Sequence, residues 1–363
     1  TQTGNTKMTI IEVKNKKQLK QFIDFPNQLY KRDTNYIFKN DKAIFYKLKI
    51  KVLKEKFIKC LMYEKNSVIV GRVAFYYGIH EKVKTCFFIY LDFIENAKIV
   101  NEMFDYIFQD MKVNEVNKII GPASHDIFDD NGVLVQGFDF PPSVFSTYNN
   151  NYYGNIVENF GFEKLNDYVD LKINENLIRQ KDLNVIALTM RRRYNFEIIK
   201  ASSIKNKNEL IAQIFNDTKP GKEEYIKKYL SFIEKQINYD FVLIAKEKET
   251  DEPMACIVAV PDYNEMHTKK SKIIKAYRLR KKQTKKVKII ELRIMPKYYK
   301  TDLGIYLCSQ LLKLLDEQNI QNVSIGRIKE NDSYNMKIYR KLGAEISHVY
   351  RLYKYDIDQN KEK

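Results

Sequence analysis

Leu292-Arg293-Ile294-Met295-Pro296-Lys297-Tyr298-Tyr299-Lys300-Thr301-Asp302-Leu303-Gly304 is the stretch on which the reading of this chain turns. An apolar strand-like run, Val287–Met295, ends at a proline. A short polar turn follows, then an amphipathic helix predicted over Leu303–Asn319. A strand feeding a tight turn and a helix start aims several backbone N–H groups and the positive end of a helix dipole at one spot, which suits a pyrophosphate. The same order is also ordinary strand-to-helix connectivity, so the residues alone leave both readings open.

Working outward, the second half reads as strand Phe196–Lys200, helices Lys207–Phe215 and Glu223–Ile237, and strands Phe241–Lys246 and Ala255–Pro261. Past the quoted stretch come strand Asn322–Arg327, helix Ser333–Leu342 and a last strand His348–Tyr355. The first half opens with strand Met8–Val13 and a helix near Lys17–Lys31, followed by strands Phe57–Tyr63, Ser67–Tyr77 and Thr85–Phe93. Helix Ala97–Met111, strand Lys118–Gly121, helix Asn151–Asn159 and a closing strand complete it. The order of elements repeats although the sequence does not. The expected architecture is therefore mixed α/β, two similar folds in tandem, each a central mixed sheet flanked by helices. The expected domains are 8–173 and 196–358, joined by a polar connector at 174–195.

At 363 residues the chain exceeds what one hydrophobic core usually serves, and 44% apolar residues can fill two. No apolar run is long enough for a membrane helix, and the polar start suggests no secretory signal, so a cytoplasmic protein is expected. Cys60, Cys86, Cys256 and Cys308 lie far apart in apolar surroundings and read as buried reduced thiols, with no metal site. A net charge of +17 attracts anions, and much of it crowds into Lys269–Lys288. That segment reads as a solvated insertion or as a docking site for an acidic protein. With Tyr277 as its one aromatic and no reading motif, it is a poor nucleic-acid binder.

The quoted stretch resembles the cofactor motif of the GNAT acyltransferases, in which a strand ends in Pro-x-Tyr-Arg and runs on through glycines. Asn331-Asp332-Ser333-Tyr334-Asn335-Met336-Lys337-Ile338-Tyr339-Arg340-Lys341-Leu342-Gly343 is similar to the family's second signature. In the first half, Gly121-Pro122, Gly137-Phe138-Asp139-Phe140-Pro141-Pro142, Tyr148-Asn149-Asn150-Asn151-Tyr152-Tyr153 and Gly161-Phe162-Glu163-Lys164 resemble a bacterial group of tandem-GNAT proteins, as does Pro261-Asp262-Tyr263-Asn264. The resemblance covers nearly the whole chain. At the motif's core Tyr299, Asp302 and Gly304 stand where an Arg and two Gly are usual, and an Asp there repels a pyrophosphate unless it turns away as an N-cap.

What the resemblance implies is an acyl-CoA-dependent N-acyltransferase, with acetyl-CoA or another acyl-CoA as donor and a small or carrier-bound amine as acceptor. The alternative is a non-catalytic member of the fold. Ile294, Met295, Tyr299, Lys300, Thr301, Asp302, Leu303, Gly304, Asp332 and Asn335 take the cofactor positions. Tyr339 takes the place of the acid that protonates the departing thiolate, against a packed core tyrosine. Glu291 is the candidate base, against a salt bridge to a neighbouring cation. His125, Tyr148, Asp262, Tyr263 and Asn264 are candidates for substrate contact. His125 with Asp126, Asp129 and Asp130 reads better as a hydrogen-bonded loop than as a metal site. Between Phe93 and Ala97 stands Ile94-Glu95-Asn96, with no glycine, so no working cofactor site is expected in the first half.

Overall fold

In the computed structural model, residues 8–38, 41–124, 131–173, 180–218, 223–236, 239–262, 264, 285–320 and 322–358 are described. They divide into two compact units, the first holding residues up to Tyr168 and from His348 on, the second holding Val169–Asp262 and 285–347.

In the first unit β1 (Met8–Glu12), β2 (Lys59–Lys65), β3 (Val68–His80) and β4 (Val83–Phe93) pair antiparallel in that order. The next strand, β5 (Lys118–Gly121), runs parallel to β4, and β13 (Ala344–Asp356) pairs antiparallel with β5 and β6 (Val133–Gln136). Strand alternation sorts the core onto two faces. Cys60, Met62, Ala74 and Tyr76 pack with Leu19, Phe22 and Ile23 of α1 (Lys16–Leu29). Leu61, Tyr63, Val73 and Phe75 pack instead with Ile99, Met103, Phe104 and Ile107 of α3 (Ala97–Val113). Each such side chain, taken fully out of water, contributes about 1.5–3 kcal/mol. The first helix starts at Asn15, whose side chain accepts from the Gln18 amide at 3.0 Å. Also in this unit are α2 (Asp41–Leu48), running into a π-helical turn at Lys49–Lys54, and α4 (Tyr152–Asn159).

The second unit repeats the plan. The strands β8 (Phe196–Lys200), β9 (Val242–Glu247), β10 (Pro253–Pro261) and β11 (Lys286–Ile294) are antiparallel neighbours, and β12 (Asn322–Lys329) runs parallel to β11. On the far side of β12 lies β7 (Glu163–Ile173). Met254–Val260 of β10 are all buried, as befits a strand covered on both faces by α6 (Lys207–Thr218) and α8 (Leu303–Glu317). The other helices are α5 (Gln180–Arg193), α7 (Glu223–Gln236) and α9 (Ser333–Lys341).

Three features depart from the expected organisation. The connector 174–195 contains the helix α5. β6 and α2 were not foreseen, being too short to set up a period of their own. The units also differ from the continuous stretches 8–173 and 196–358, since the last strand of the chain belongs mostly to the first unit. The cysteines are all buried and free. No helix among the described residues is long and apolar enough to cross a membrane.

Candidate acyl-transfer site

The second unit places the quoted stretch at a fork. Parallel pairing of β11 with β12 runs from Lys286–Asn322 to Ile289–Ile325 and stops there. On the opposite edge of β11 the register with β10 slips between Val258 and Ala259, so that Ile290 is an extra residue. Such a bulge bends a strand. The end of β11 thus leaves its parallel neighbour and leads into the turn before α8.

That turn is pinned from inside. Tyr298 is buried, donates to Glu247 and sets its ring edge-on to Tyr194, 5.9 Å between centroids. Burial, reinforced by the Glu247 bond, raises its pKa. Tyr299 points outward, 43% exposed, with its ring 5.2 Å from that of Tyr334. The Met295 amide donates to Met254 O at 2.9 Å, holding the exit of β11 to β10. Lys300 is exposed.

The start of α8 departs from expectation. Asp302 is the N-cap residue but its side chain makes no capping bond; it lies 3.6 Å from Lys341 Nζ. The capping bond comes from Thr301, whose hydroxyl oxygen accepts from the Leu303 amide at 3.2 Å while donating to Tyr298 O at 2.7 Å. The amides of Gly304 and Ile305 have no partner among the described residues, as first-turn amides lack one within the helix. Gly304 serves packing: a Cβ there would lie 2.6 Å from Ile294 Cδ1 and 2.7 Å from Ile338 Cδ1. Two open amides, a positive dipole end and nearby Lys300 and Lys341 fit a pyrophosphate, and the Tyr334 hydroxyl, buried without a partner among the described residues, adds an unused donor close to Asp302 and Tyr299. Asp332 caps α9, accepting from the Asn335 amide at 3.1 Å and from its side chain at 2.7 Å, so both are committed to holding that helix.

Glu291 and Arg293 form an ion pair, Oε2 to Nε 2.8 Å, which is the salt bridge weighed against a catalytic base. The Arg293 guanidinium also sits over the Phe215 ring, 5.1 Å from its centroid. Tyr339 is 2% exposed. Burial pushes its pKa well up, with smaller upward pushes from Cys308, Glu291 and Asp332 and a downward pull from Arg293. The phenol therefore stays protonated at neutral pH.

The remaining candidates lie elsewhere. In the first unit the Tyr148 hydroxyl donates to Asp33 at 2.5 Å, and the Asn264 side chain donates to Pro142 O at 3.0 Å. His125 and Tyr263 lie outside the described residues, as do residues 269–284 of the basic insertion. The insertion's last residue, Lys288, is 1% exposed and so cannot meet an acidic partner. Among the described residues no group of three or more metal-ligating side chains is placed to hold an ion.

Lys288 belongs to a cluster that sequence reading missed. Its Nζ lies 2.9 Å from Asp170 Oδ2, both side chains nearly inaccessible. The pair crosses over Gly326 of β12, where a Cβ would lie 2.1 Å from Asp170 Oδ1. Burial lowers the Lys288 pKa, while Asp170 and Asp262 pull it back up. Asp262, 5% exposed, is thus placed beside Lys288 and away from the start of α8. The signal in the sequence was a lysine inside the apolar run of β11 facing a glycine inside β12.

No family model matches the chain. Protein YghO of Escherichia coli (strain K12) is 22% identical over 368 residues, covering 94% of both chains. Among solved structures, a GCN5-related glucosamine N-acetyltransferase region of a fungal multi-domain GH3 beta-N-acetylglucosaminidase matches 97% of the chain at TM-score 0.62 and 12% identity. The chain spans 38% of that longer protein. A tandem GNAT protein from the clavulanic acid biosynthesis pathway matches at TM-score 0.59 and 8% identity, covering 97% of this chain and 99% of that one. A GCN5-related N-acetyltransferase from Sphaerobacter thermophilus matches at TM-score 0.55 and 8% identity, covering 96% of each. At these identities the likeness shows the fold: the chain has the tandem GNAT fold.

Proposed function

We propose that the second unit binds an acyl-CoA and transfers its acyl group to an amine. The observation that carries this reading is the fork itself: the β11–β12 ladder ends at Ile289–Ile325, and α8 begins beyond it with two open amides. The fork gives an extended chain a place beside β11, and the helix start gives its pyrophosphate a seat. An acyl-CoA supplies the electrophilic thioester carbonyl and the thiolate that leaves. In the transfer the amine nitrogen bonds the carbonyl carbon as the carbon–sulfur bond breaks. One proton leaves the amine and one reaches the sulfur.

Tyr339 is the proton donor for the sulfur in this scheme. Its raised pKa keeps the proton available and makes its release harder. Glu291 takes the amine's proton only if Arg293 lets go of it or turns with it. That pairing favours the second reading, a ligand-binding member of the fold without turnover.

Titrating the intact protein with acetyl-CoA and longer acyl-CoAs decides between them, because a ligand of the folded state raises its Tm. Transfer predicts a rise, thiol release with a suitable amine, and about a hundredfold loss of turnover in Tyr339→Phe at unchanged acyl-CoA affinity. A rise without thiol release for any amine supports the second reading. No rise with any acyl-CoA overturns transfer and leaves the second reading, in a form whose cofactor site is lost.

A further inference from the structure

One face of the first unit is covered by α1 and by α2 with the π-helical turn that continues it. Both pack their apolar sides on the same core, Leu19, Phe22 and Ile23 from α1, Leu48 and Val52 from α2 and its turn. We propose that the outer side of this layer is a docking surface for an anionic lipid bilayer, which it lies upon rather than crosses. What carries the inference is a field of lysines around an exposed apolar crest.

The charge is dense and of one sign. Residues 14–20 and 42–56 hold ten lysines, no arginine and one carboxylate, Glu55. The other acidic residues of these helices are Asp24, which accepts from the Gln28 side chain at 2.7 Å, and Asp41. Lys16, Lys17, Lys20, Lys42, Lys54 and Lys56 are exposed. The Lys20 ammonium lies 5.9 Å from the centre of the Phe45 ring, so the cations of α1 reach across to α2 and the two sets form one field. Lys51 lies likewise over Phe57, at 5.8 Å. Lysines placed this way cover apolar surface with their stems and keep the charge outward, as lysines do at a membrane interface.

The crest is apolar. Tyr46 is 68% exposed and Ile50 48% exposed, one helical turn apart, with Lys42 and Lys54 a turn beyond at either end. The winding beneath them is unusual. From Lys49 to Lys54 the chain is π-helical, the Glu55 amide donating to Ile50 O at 2.9 Å, and it keeps Val52 in the core while Ile50 stays outside. Such turns recur at functional sites.

Of the polyanions, a bilayer matches both features. Arginine, whose fork grips single phosphates, is absent, and the hydrated point charge of lysine suits a surface of smeared headgroup charge. Tyrosine favours the headgroup level, and isoleucine gains where an apolar phase receives it, which a nucleic-acid backbone does not offer. One tyrosine makes no run of stacking platforms for a single strand. An acidic protein would have to bring an apolar pocket set among carboxylates.

The experiment sediments the full chain with vesicles of phosphatidylcholine alone and of equal parts phosphatidylcholine and phosphatidylglycerol, and measures binding to duplex DNA and to polyglutamate beside them. The anionic vesicles are expected to bind the protein and the neutral ones not, with affinity falling as salt rises. Each lysine brought to an anionic surface adds about fivefold in affinity, so Lys49→Gln, Lys54→Gln and Lys56→Gln together should cost about a hundredfold. Lys82→Gln, Lys98→Gln and Lys112→Gln, an equal loss of exposed charge away from the layer, should cost little. Tyr46→Ser with Ile50→Ser should cost about tenfold and leave the salt dependence as it is. Urea midpoints confirm that each variant folds. Equal losses in the two lysine triples, vesicle binding indifferent to Tyr46 and Ile50, DNA or polyglutamate bound as tightly as the anionic vesicles through the same lysines, or no vesicle binding at all overturns the proposal. No readout involves acyl-CoA, so the proposed transfer stands or falls separately.

Discussion

The two units build the same junction and finish it differently. Each has a bulged strand, β4 or β11, a parallel neighbour, β5 or β12, and a helix entered just after the bulged strand, α3 or α8. In the first unit the helix start is closed: Asn96 accepts from the Lys98 amide through its side chain at 3.0 Å and from the Ile99 amide through its carbonyl at 3.1 Å. In the second, the Asp302 side chain makes no capping bond, its carbonyl accepts from the Tyr306 amide at 2.9 Å, Thr301 caps only the Leu303 amide, and the amides of Gly304 and Ile305 stay open. Among the described residues each unit also holds a buried ion pair, Arg72–Asp92 in the first and Lys288–Asp170 in the second. What separates the proposed anion seat from an ordinary helix start is therefore which amides the capping residues leave open, within a shared frame.

The largest effect expected from this comparison is in the buried pairs. Lys288→Met leaves Asp170 charged at 1% side-chain exposure, and losing one partner of such a pair typically costs about 3–5 kcal/mol. Replacing both, Lys288→Met with Asp170→Leu, should recover much of the loss, because burying two charges is itself expensive. Urea midpoints of the single and double variants measure this. A single variant as stable as the parent would mean that the folded second unit does not depend on Lys288 to hold the buried Asp170 charge.

A smaller, pH-dependent effect belongs to the first unit. Arg351 grips Asp167 with both ends of its fork, Nε to Oδ1 at 2.9 Å and Nη2 to Oδ2 at 3.0 Å, and Lys164 adds a contact at 2.7 Å. Burial pushes the Asp167 pKa up, but the hydrogen bonds from Arg351 and Lys164 outweigh it and hold the carboxyl below its usual range. A depressed folded pKa means stability present above the unfolded value, about 3.9, and lost as pH falls through the folded one. Arg351→Met should cost about 1 kcal/mol at neutral pH, with the gap to the parent closing in acid below pH about 4. A gap that stays constant with pH would assign the loss to packing of the Arg351 stem.

Much of this frame was legible in the chain. The strand-like apolar runs of β2 and β3 and the helical spacing of Leu19, Phe22 and Ile23 mark the elements of the first core, and strand Lys118–Gly121 is found where it was read. The turn at Pro296 and the helix after it were readable because proline and an apolar period of 3.6 mark them. Less visible was what depends on partners far off in sequence. Nothing near Lys288 announces Asp170, which lies 118 positions away, and nothing near Glu291 shows whether Arg293 turns toward it or into solvent. Asp302 was read as a cap that could bond an amide; the neighbouring Thr301 hydroxyl took that bond instead, a choice between adjacent oxygens that spacing cannot make.

The smallest effect tests the cap residues themselves. Asn96→Ala removes a capping bond and should cost the first unit about 1 kcal/mol while leaving acyl-CoA affinity untouched. Asp302→Asn removes a charge but no capping bond, and its contact with Lys341 joins two half-exposed groups, so little stability is at stake. A carboxylate at a helix start interacts with the dipole by about 0.3–1 kcal/mol, and the same field is what a pyrophosphate must share with it. Freed of that competitor, the second unit should bind acyl-CoA about two- to fivefold more tightly, measured by calorimetry at low salt, with the gain shrinking as salt screens it. Weaker binding in Asp302→Asn would show that Asp302, through Lys341, holds the shape of the turn. The contrast between the two helix starts would then rest on geometry, with Asp302 needed to build the seat it repels.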